Sequence, residues 1–223
     1  MNVRQSMNYD DLKQVLYSAV ISDVLDSLGY RRQAMRPFVR PLDDDAVLFG
    51  PARTGLFMPR FNVEERENPY EIEIEMIDDL KPGDIAIFAC NGPTERITPW
   101  GELLTTAALQ RGAAGFVTDG LVRDVKAIRK TGFPVFHGGI GPLDSKGRSK
   151  MMARDIPVEC AGVEIEAGDL IFGEVDGVVV IPRDIASDVV REALAKINGE
   201  NTTRDEIKKG VLLADVYRKY GVL

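Results

Sequence analysis

The sequence predicts an α/β fold: one domain over residues 1–223, with a central parallel or mixed sheet, helices at the N-terminus and a helical extension over 183–223. Three observations predict it. Residues 85–137 alternate apolar strand, amphipathic helix, strand, helix and strand, and that order requires crossovers and hence parallel pairing. In "VECAGVEIEAGDLIFGEVDGVVVIP" (158–182), strand-like runs are separated by "AGD" and "VDG" turns, which favours antiparallel neighbours. Both ends of the chain read as helix.

At the N-terminus Leu12, Val15, Leu16, Ala19, Val20, Val24, Leu25 and Leu28 fall at helical spacing before Gly29, predicting one helix over 10–28, or two with a break near Ser22. "RPLDDDAVLFGPARTGLFMP" reads as short strands broken by Gly50, Pro51 and Gly55. "NPYEIEIEMIDDL" alternates like a strand, but Asn68-Pro69 is a good helix start and predicts a helix over 69–80. "KPGD" is a turn, "IAIFA" (85–89) a buried strand and "CNGPTERITPW" a loop. Leu103, Leu104, Ala107 and Ala108 then form an apolar helical face that ends at Arg111-Gly112. "GFVTD" (115–119) is the next strand, "RDVKAIRKTG" a short helix closed by Gly132, and "FPVFH" a further strand. Helices are expected near 183–197 and 203–209, followed by the tail "DVYRKYGVL".

Composition narrows the function. The net charge is -7, with 35 acidic against 28 basic side chains, which disfavours a phosphate-backbone partner, so nucleic acid is not expected. Two cysteines, Cys90 and Cys160, are too few for a disulfide framework or a cysteine-rich zinc site. The opening "MNVRQSMNYDDLKQ" lacks an apolar core and no run of about 18 apolar residues occurs, so no membrane partner is expected and the cytoplasm is the expected location. His137 is the only histidine, which removes multi-histidine metal sites and leaves Ser-His-Asp chemistry without a spare base; it is read as structural. "GPLDSKGRS" has the wrong glycine spacing for a phosphate loop, and no strand leads into a G-x-G-x-x-G turn.

Oxygen chemistry remains. A helix starting near Gly101 presents unpaired N–H groups to an anion, and Gly101 lets a ligand approach the backbone. Arg123 and Asp124 begin the next helix, beyond the end of a neighbouring strand, where ligands collect in open parallel sheets. Arginine can grip a carboxylate and stabilise an enolate, and aspartate offers a hard oxygen to magnesium or manganese. The same residues also suit a plain helix start at Glu102 and an N-cap at Asp124.

The spacing Glu102, twenty residues, Arg123-Asp124 resembles the acid-x20-Arg-Asp signature of the RraA-like superfamily, in particular its 4-hydroxy-4-methyl-2-oxoglutarate/4-carboxy-4-hydroxy-2-oxoadipate aldolases. The likeness extends through "ISDVLDSLG", "GPARTG", "KPGD", "WGELL", "RGAAGFVTDGLVRD", "FPVFHGG" and "DGVVVIP". It implies a swivelling β/β/α domain, assembled as homotrimers or hexamers with sites between subunits. It also implies a class II aldolase that uses Mg2+ or Mn2+ to cleave a 4-hydroxy-2-oxo-diacid to pyruvate and a second oxoacid, with oxaloacetate decarboxylase side activity. By position, Gly101, Glu102, Leu103 and Leu104 would bind the substrate carboxylate through their amides and Arg123 its oxo oxygen. Asp124 would hold the metal, Glu102 would orient a water on it, and Glu200 is the candidate acid supplied across a subunit boundary. Glu102 stands where the family commonly has Asp, and "ACNGPTERITPW" replaces a glycine-rich loop. The alternative implied by the name-giving member is a non-catalytic regulator that binds a ribonuclease; the intact Arg123-Asp124 pair and the extension after Pro182 favour the enzyme.

Overall fold

The computed structural model describes residues 8–221; residues 1–7, which open the segment read above for a leader, lie outside the described part, as do 222 and 223 of the tail. The chain forms a mixed α/β fold in which helices flank a nearly closed central mixed sheet. Its elements run α1 (Tyr9–Leu12), α2 (Ser18–Ser27), β1 (Arg40–Pro41), β2 (Leu48–Pro59), α3 (Glu71–Asp78), β3 (Ile85–Ala89), α4 (Glu102–Gln110), β4 (Gly115–Thr118), β5 (Leu121–Val122), α5 (Val125–Thr131) and β6 (Val135–His137). They continue through β7 (Gly139–Ile140), β8 (Ser149–Arg154), β9 (Val158–Cys160), β10 (Val163–Ile165), β11 (Leu170–Glu174) and β12 (Gly177–Ile181) to α6 (Ala186–Lys208) and α7 (Leu213–Tyr220).

The sheet order is β1-β6-β4-β3-β2-β11-β12, with β8 also on β2. The strands at 85–89, 115–118 and 135–137 pair in parallel, as the strand-helix alternation predicts, and β11-β12 is antiparallel. Segment 33–41 draws the two ends together. Met35 N–H donates to Val178 O (2.9 Å), Val180 N–H to Gln33 O (2.8 Å), and Arg40 Nη1 reaches Asp176 O (2.9 Å).

β2 corrects the expectation of short broken strands: it is one strand of 12 residues. Its first half pairs with β11 and its second with β8, while β3 holds the opposite edge. Gly50 is a close approach rather than a break, since a Cβ there would lie 2.2 Å from Gly83 O in the "KPGD" turn. Gly55 is pressed likewise against Met151 and Met76.

Helix boundaries move for tertiary reasons. The N-terminal break falls at 13–17 instead of Ser22, because the carboxylate of Glu174 on β11 accepts from both Ser18 N (2.7 Å) and Ser18 Oγ (2.8 Å) and so starts α2. The two helices expected near 183–197 and 203–209 are one continuous α6. An interior glycine such as Gly199 costs about 1 kcal/mol, and α6 nonetheless runs through it, with Val189, Val190 and Ala193 buried before it and Thr203 after it. Part of the expected tail is α7, closed by Gly221 at φ 66°.

Core packing divides between the two sheet faces and the α2-α6 layer. Under α3, α4 and α5 lie Phe57, Phe88, Trp100, Phe116 and Phe133, with Trp100 stacked on Phe116 at 3.8 Å between ring centroids. Phe49 and Phe172 meet edge-on beneath α2 and α6.

His137 ends β6 half-buried, and its Nδ1 is without a hydrogen-bond partner. Burial, then the Arg129 charge, lowers its pKa from 6.5 to about 4. Because the folded value lies below the unfolded one, His137 supports stability above pH 6.5, and that support is lost as pH falls toward 4. His137→Gln is therefore expected to lose less melting temperature than the wild type between pH 6.5 and 4, as read by thermal denaturation across that range.

Candidate active site

The site is assembled by a strap of backbone. After β3 the chain crosses residues 90–100 before entering α4, and Asp119, at the end of β4, anchors the crossing. Its buried carboxylate accepts from Cys90 N (2.7 Å), Gly92 N (2.7 Å) and Ala161 N (3.4 Å). Leu121 N–H donates to Ile97 O (2.9 Å) and Arg123 N–H to Trp100 O (3.0 Å), so the start of α4 is laced to the start of α5. Trp100 fixes the turn between them: its indole N–H donates to Thr105 Oγ1 (2.8 Å), which donates to Gly101 O (3.0 Å).

This lacing brings Gly101, Leu103, Leu104, Arg123 and Asp124 to one cavity of about 390 Å³. Gly101 has no room for a side chain, since a Cβ would stand 2.7 Å from Asp124 Oδ2 and 3.2 Å from Arg123 Nε. Asp124 adopts a left-handed backbone (φ 60°) at the N-cap of α5, and its side chain caps nothing there. Instead its Oδ2 accepts from Glu102 N (3.3 Å), so the N-cap alternative for this carboxylate is set aside. The Glu102 amide, one of the four expected to meet a substrate, is therefore held by Asp124. Those of Leu103 and Leu104 stand in the first turn, where a helix offers no carbonyl of its own.

Two side chains depart from expectation. Leu103 is 78% exposed, and Thr105 takes the buried place on α4. Glu102 is turned along its own helix, its Oε1 accepting from Thr106 Oγ1 (2.8 Å), and its carboxylate is outside the cavity lining. Glu200 lies elsewhere within the chain, bonded to Tyr17 and 3.9 Å from Arg204 in a hollow between α2 and α6.

Sequence reasoning missed the opposite wall. Tyr70, Glu73 and Ile74 face the cavity from α3 and its lead-in, and Asp144 and Ser145 face it from the loop after β7. Tyr70 OH donates to Asp144 Oδ2 (2.9 Å). The Arg123 guanidinium sits between two carboxylates, Nε 3.7 Å from Asp124 Oδ2 and Nη1 3.8 Å from Asp144 Oδ1, and Nη1 also reaches Leu143 O (3.4 Å). Burial works against the Asp144 charge, but the Tyr70 hydroxyl, the Lys146 amide and Arg123 together hold its pKa below the usual carboxylate value. Burial, the bond to Asp144 and nearby charge push Tyr70 up to about 12. Glu73 is 6% exposed and its Oε2 has no partner; burial, then Asp144, raises its pKa to about 8 against the pull of Arg123. A signal for Glu73 did exist: once 71–78 is helical, it shares a stripe with Met76 and Ile77.

Metal ligation has a narrow basis. Among the described residues no group of three or more His, Cys, Asp or Glu side chains is arranged to hold an ion. The donor set fits a hydrated hard cation, which takes one or two carboxylates and keeps its waters. Asp124, with half of its side chain exposed, offers such a carboxylate.

Residues 18–180 match the RraA-like family model, described as Aldolase/RraA. The chain is 34% identical over 203 residues to Protein DlpA of Legionella pneumophila, covering 91% of this chain but only 32% of DlpA. It is 31% identical over 197 residues to a Halalkalibacterium halodurans protein provisionally named 4-hydroxy-4-methyl-2-oxoglutarate aldolase, covering 88% and 87% of the two chains. The crystal structure of Streptomyces coelicolor RraAS2, described as an unusual member of the RNase ES inhibitor RraA family, superposes with a TM-score of 0.76 at 28% identity, over 87% of this chain and 96% of that one. With its family match spanning most of the sequence and its fold shared with a solved RraA protein, the chain belongs to the RraA-like family.

Proposed function

We propose that the protein is a divalent-cation-dependent lyase that releases pyruvate from a 4-hydroxy-2-oxoacid, with diacids of the 4-hydroxy-4-methyl-2-oxoglutarate type as substrates and oxaloacetate decarboxylation as a side activity. The observation that carries this reading is the Arg123 guanidinium, held between Asp124 and Asp144 and beside the first turn of α4 in one cavity. Cleavage next to a 2-oxo group leaves negative charge on the pyruvate oxygen, and a fixed guanidinium offsets that charge without reorganising. The Leu103 and Leu104 amides suit the substrate carboxylate. Asp124 would hold Mg2+ or Mn2+, and such an ion supplies further polarisation of the oxo group. We further propose a small oxoacid as the partner, a cytoplasmic setting, and a homotrimer or hexamer in which Glu200 serves a neighbouring copy. No helix among the described residues is long and apolar enough to cross a membrane.

A coupled pyruvate assay with oxaloacetate and 4-hydroxy-4-methyl-2-oxoglutarate tests the proposal. Turnover with Mg2+ or Mn2+ is expected to fall at least about 100-fold with EDTA or in Asp124→Asn, the scale of losing one charge-stabilising group. Activity that survives both treatments would remove the metal from the reaction. No turnover of either compound, together with tight binding of a ribonuclease, would make the protein an inhibitor of the RraA type.

A further inference from the structure

A buried carboxyl without a hydrogen-bond partner costs stability, and an apolar side chain would pack the same wall more favourably. Glu73 is such a carboxyl. It projects from the buried stripe of α3 into the wall of the cavity that holds Arg123 and Asp124, and its Oε2 meets no donor. A second unpartnered polar atom, Thr98 Oγ1, belongs to the same lining. The proposed cleavage needs a group to take a proton from the C4 hydroxyl, and the acid expected near the chemistry, Glu102, is spent on Thr106.

We propose that Glu73 is the catalytic base of carbon-carbon cleavage, an assignment that rests on the lyase reading above. Its carboxylate takes the C4 hydroxyl proton, and the O–H electron pair becomes the new C4 carbonyl bond. The C3–C4 bond breaks, and its electrons pass into the pyruvate enolate beside Arg123. Glu73 then returns the proton to C3, giving the methyl group of pyruvate and regenerating its own carboxylate. The cycle consumes no oxidant or reductant. The surroundings suit the role: a carboxyl that titrates at about 8 serves as base and acid near neutrality, where an ordinary glutamate is too weak a base. The charged and titratable groups that face it are Tyr70 and Asp144, which disfavour its ionisation or are disfavoured by it, Arg123, which favours it, and the buried Cys90 thiol.

Oxaloacetate separates this role from the rest of the site, because decarboxylation breaks its bond from a carboxylate and requires no hydroxyl proton to be removed. In Glu73→Gln, cleavage of 4-hydroxy-4-methyl-2-oxoglutarate should fall by about 10²–10⁴-fold, the usual worth of a positioned base. Oxaloacetate decarboxylation, in which only the return of a proton to C3 is affected, should fall at least about tenfold less than cleavage does, and Glu73→Asp should recover part of the cleavage. In the wild type, kcat/KM for cleavage should rise with pH through about 8, because the ionised form is the base, while decarboxylation should lack that limb. This profile needs no variant and stands even if Glu73→Gln folds poorly. Cleavage retained in Glu73→Gln, equal losses of both activities in a folded variant, or a wild-type cleavage profile flat between pH 6 and 9 would each overturn the assignment. A wild type inert toward both compounds would instead overturn the lyase reading beneath it.

Discussion

Arg123→Ala is expected to lower kcat for pyruvate release by roughly 10²–10³-fold, the loss seen when one preorganised charge-stabilising donor is removed. Without the guanidinium, Asp124 and Asp144 face one cavity with no basic side chain between them. The enolate formed on cleavage would then lose the fixed guanidinium that offsets its charge. Arg123→Lys should recover only part of the loss, because an ammonium lacks the fork that reaches Asp124 through Nε and Asp144 through Nη1. Steady-state kinetics on oxaloacetate read the effect directly. A variant with raised KM and intact kcat would show that Arg123 binds substrate and transition state alike, contrary to the role assigned to it.

Trp100→Ala is expected to cost about 3–5 kcal/mol of stability, the range for removing a large buried aromatic. In a chain of this size that corresponds to a drop of roughly 10 °C in melting temperature. Trp100 is 1% exposed, stacks on Phe116 and meets Phe88 edge-on, so deleting it opens a void under α3, α4 and α5. The damage should reach the site as well, because the indole holds Thr105 and Thr105 holds the Gly101 carbonyl. Thermal melts combined with the pyruvate assay test both consequences. A variant that melts within about 2 °C of the wild type would show that the cavity collapses without penalty, against the usual cost of a void.

Much of this architecture was legible in the sequence, and the remainder was hidden for identifiable reasons. The strands at 85–89, 115–118 and 135–137 announce themselves because each is a short apolar run between turn signals, a pattern that survives without tertiary information. The start of α2 was not legible, because its cap comes from Glu174, distant in sequence. Nor was the continuity of α6, where local signals at "NGENTT" favour a break and packing overrides them. At the site, the motif spacing placed Gly101, Arg123 and Asp124 near one another, since two successive strand-to-helix loops must open on the same side of a parallel sheet. It could not give the direction of the Glu102 side chain, which a one-turn bond to Thr106 decides. The α3 wall escaped although a helix was expected there, because an acid reads as a solvated position until packing places Glu73 inward and Glu75 outward.

The left-handed backbone at Asp124 limits which residues can occupy that position. Such a conformation is comfortable for Asp, Asn or Gly, while other side chains meet a steric penalty of roughly 1–2 kcal/mol. Chemistry and architecture can therefore drift apart here. Descendants that exchange the carboxylate for an amide would keep the hollow, its arginine and the surrounding scaffold while surrendering the carboxylate proposed to hold a cation, so one amino-acid change would separate the proposed catalyst from an intact receptor of the same shape.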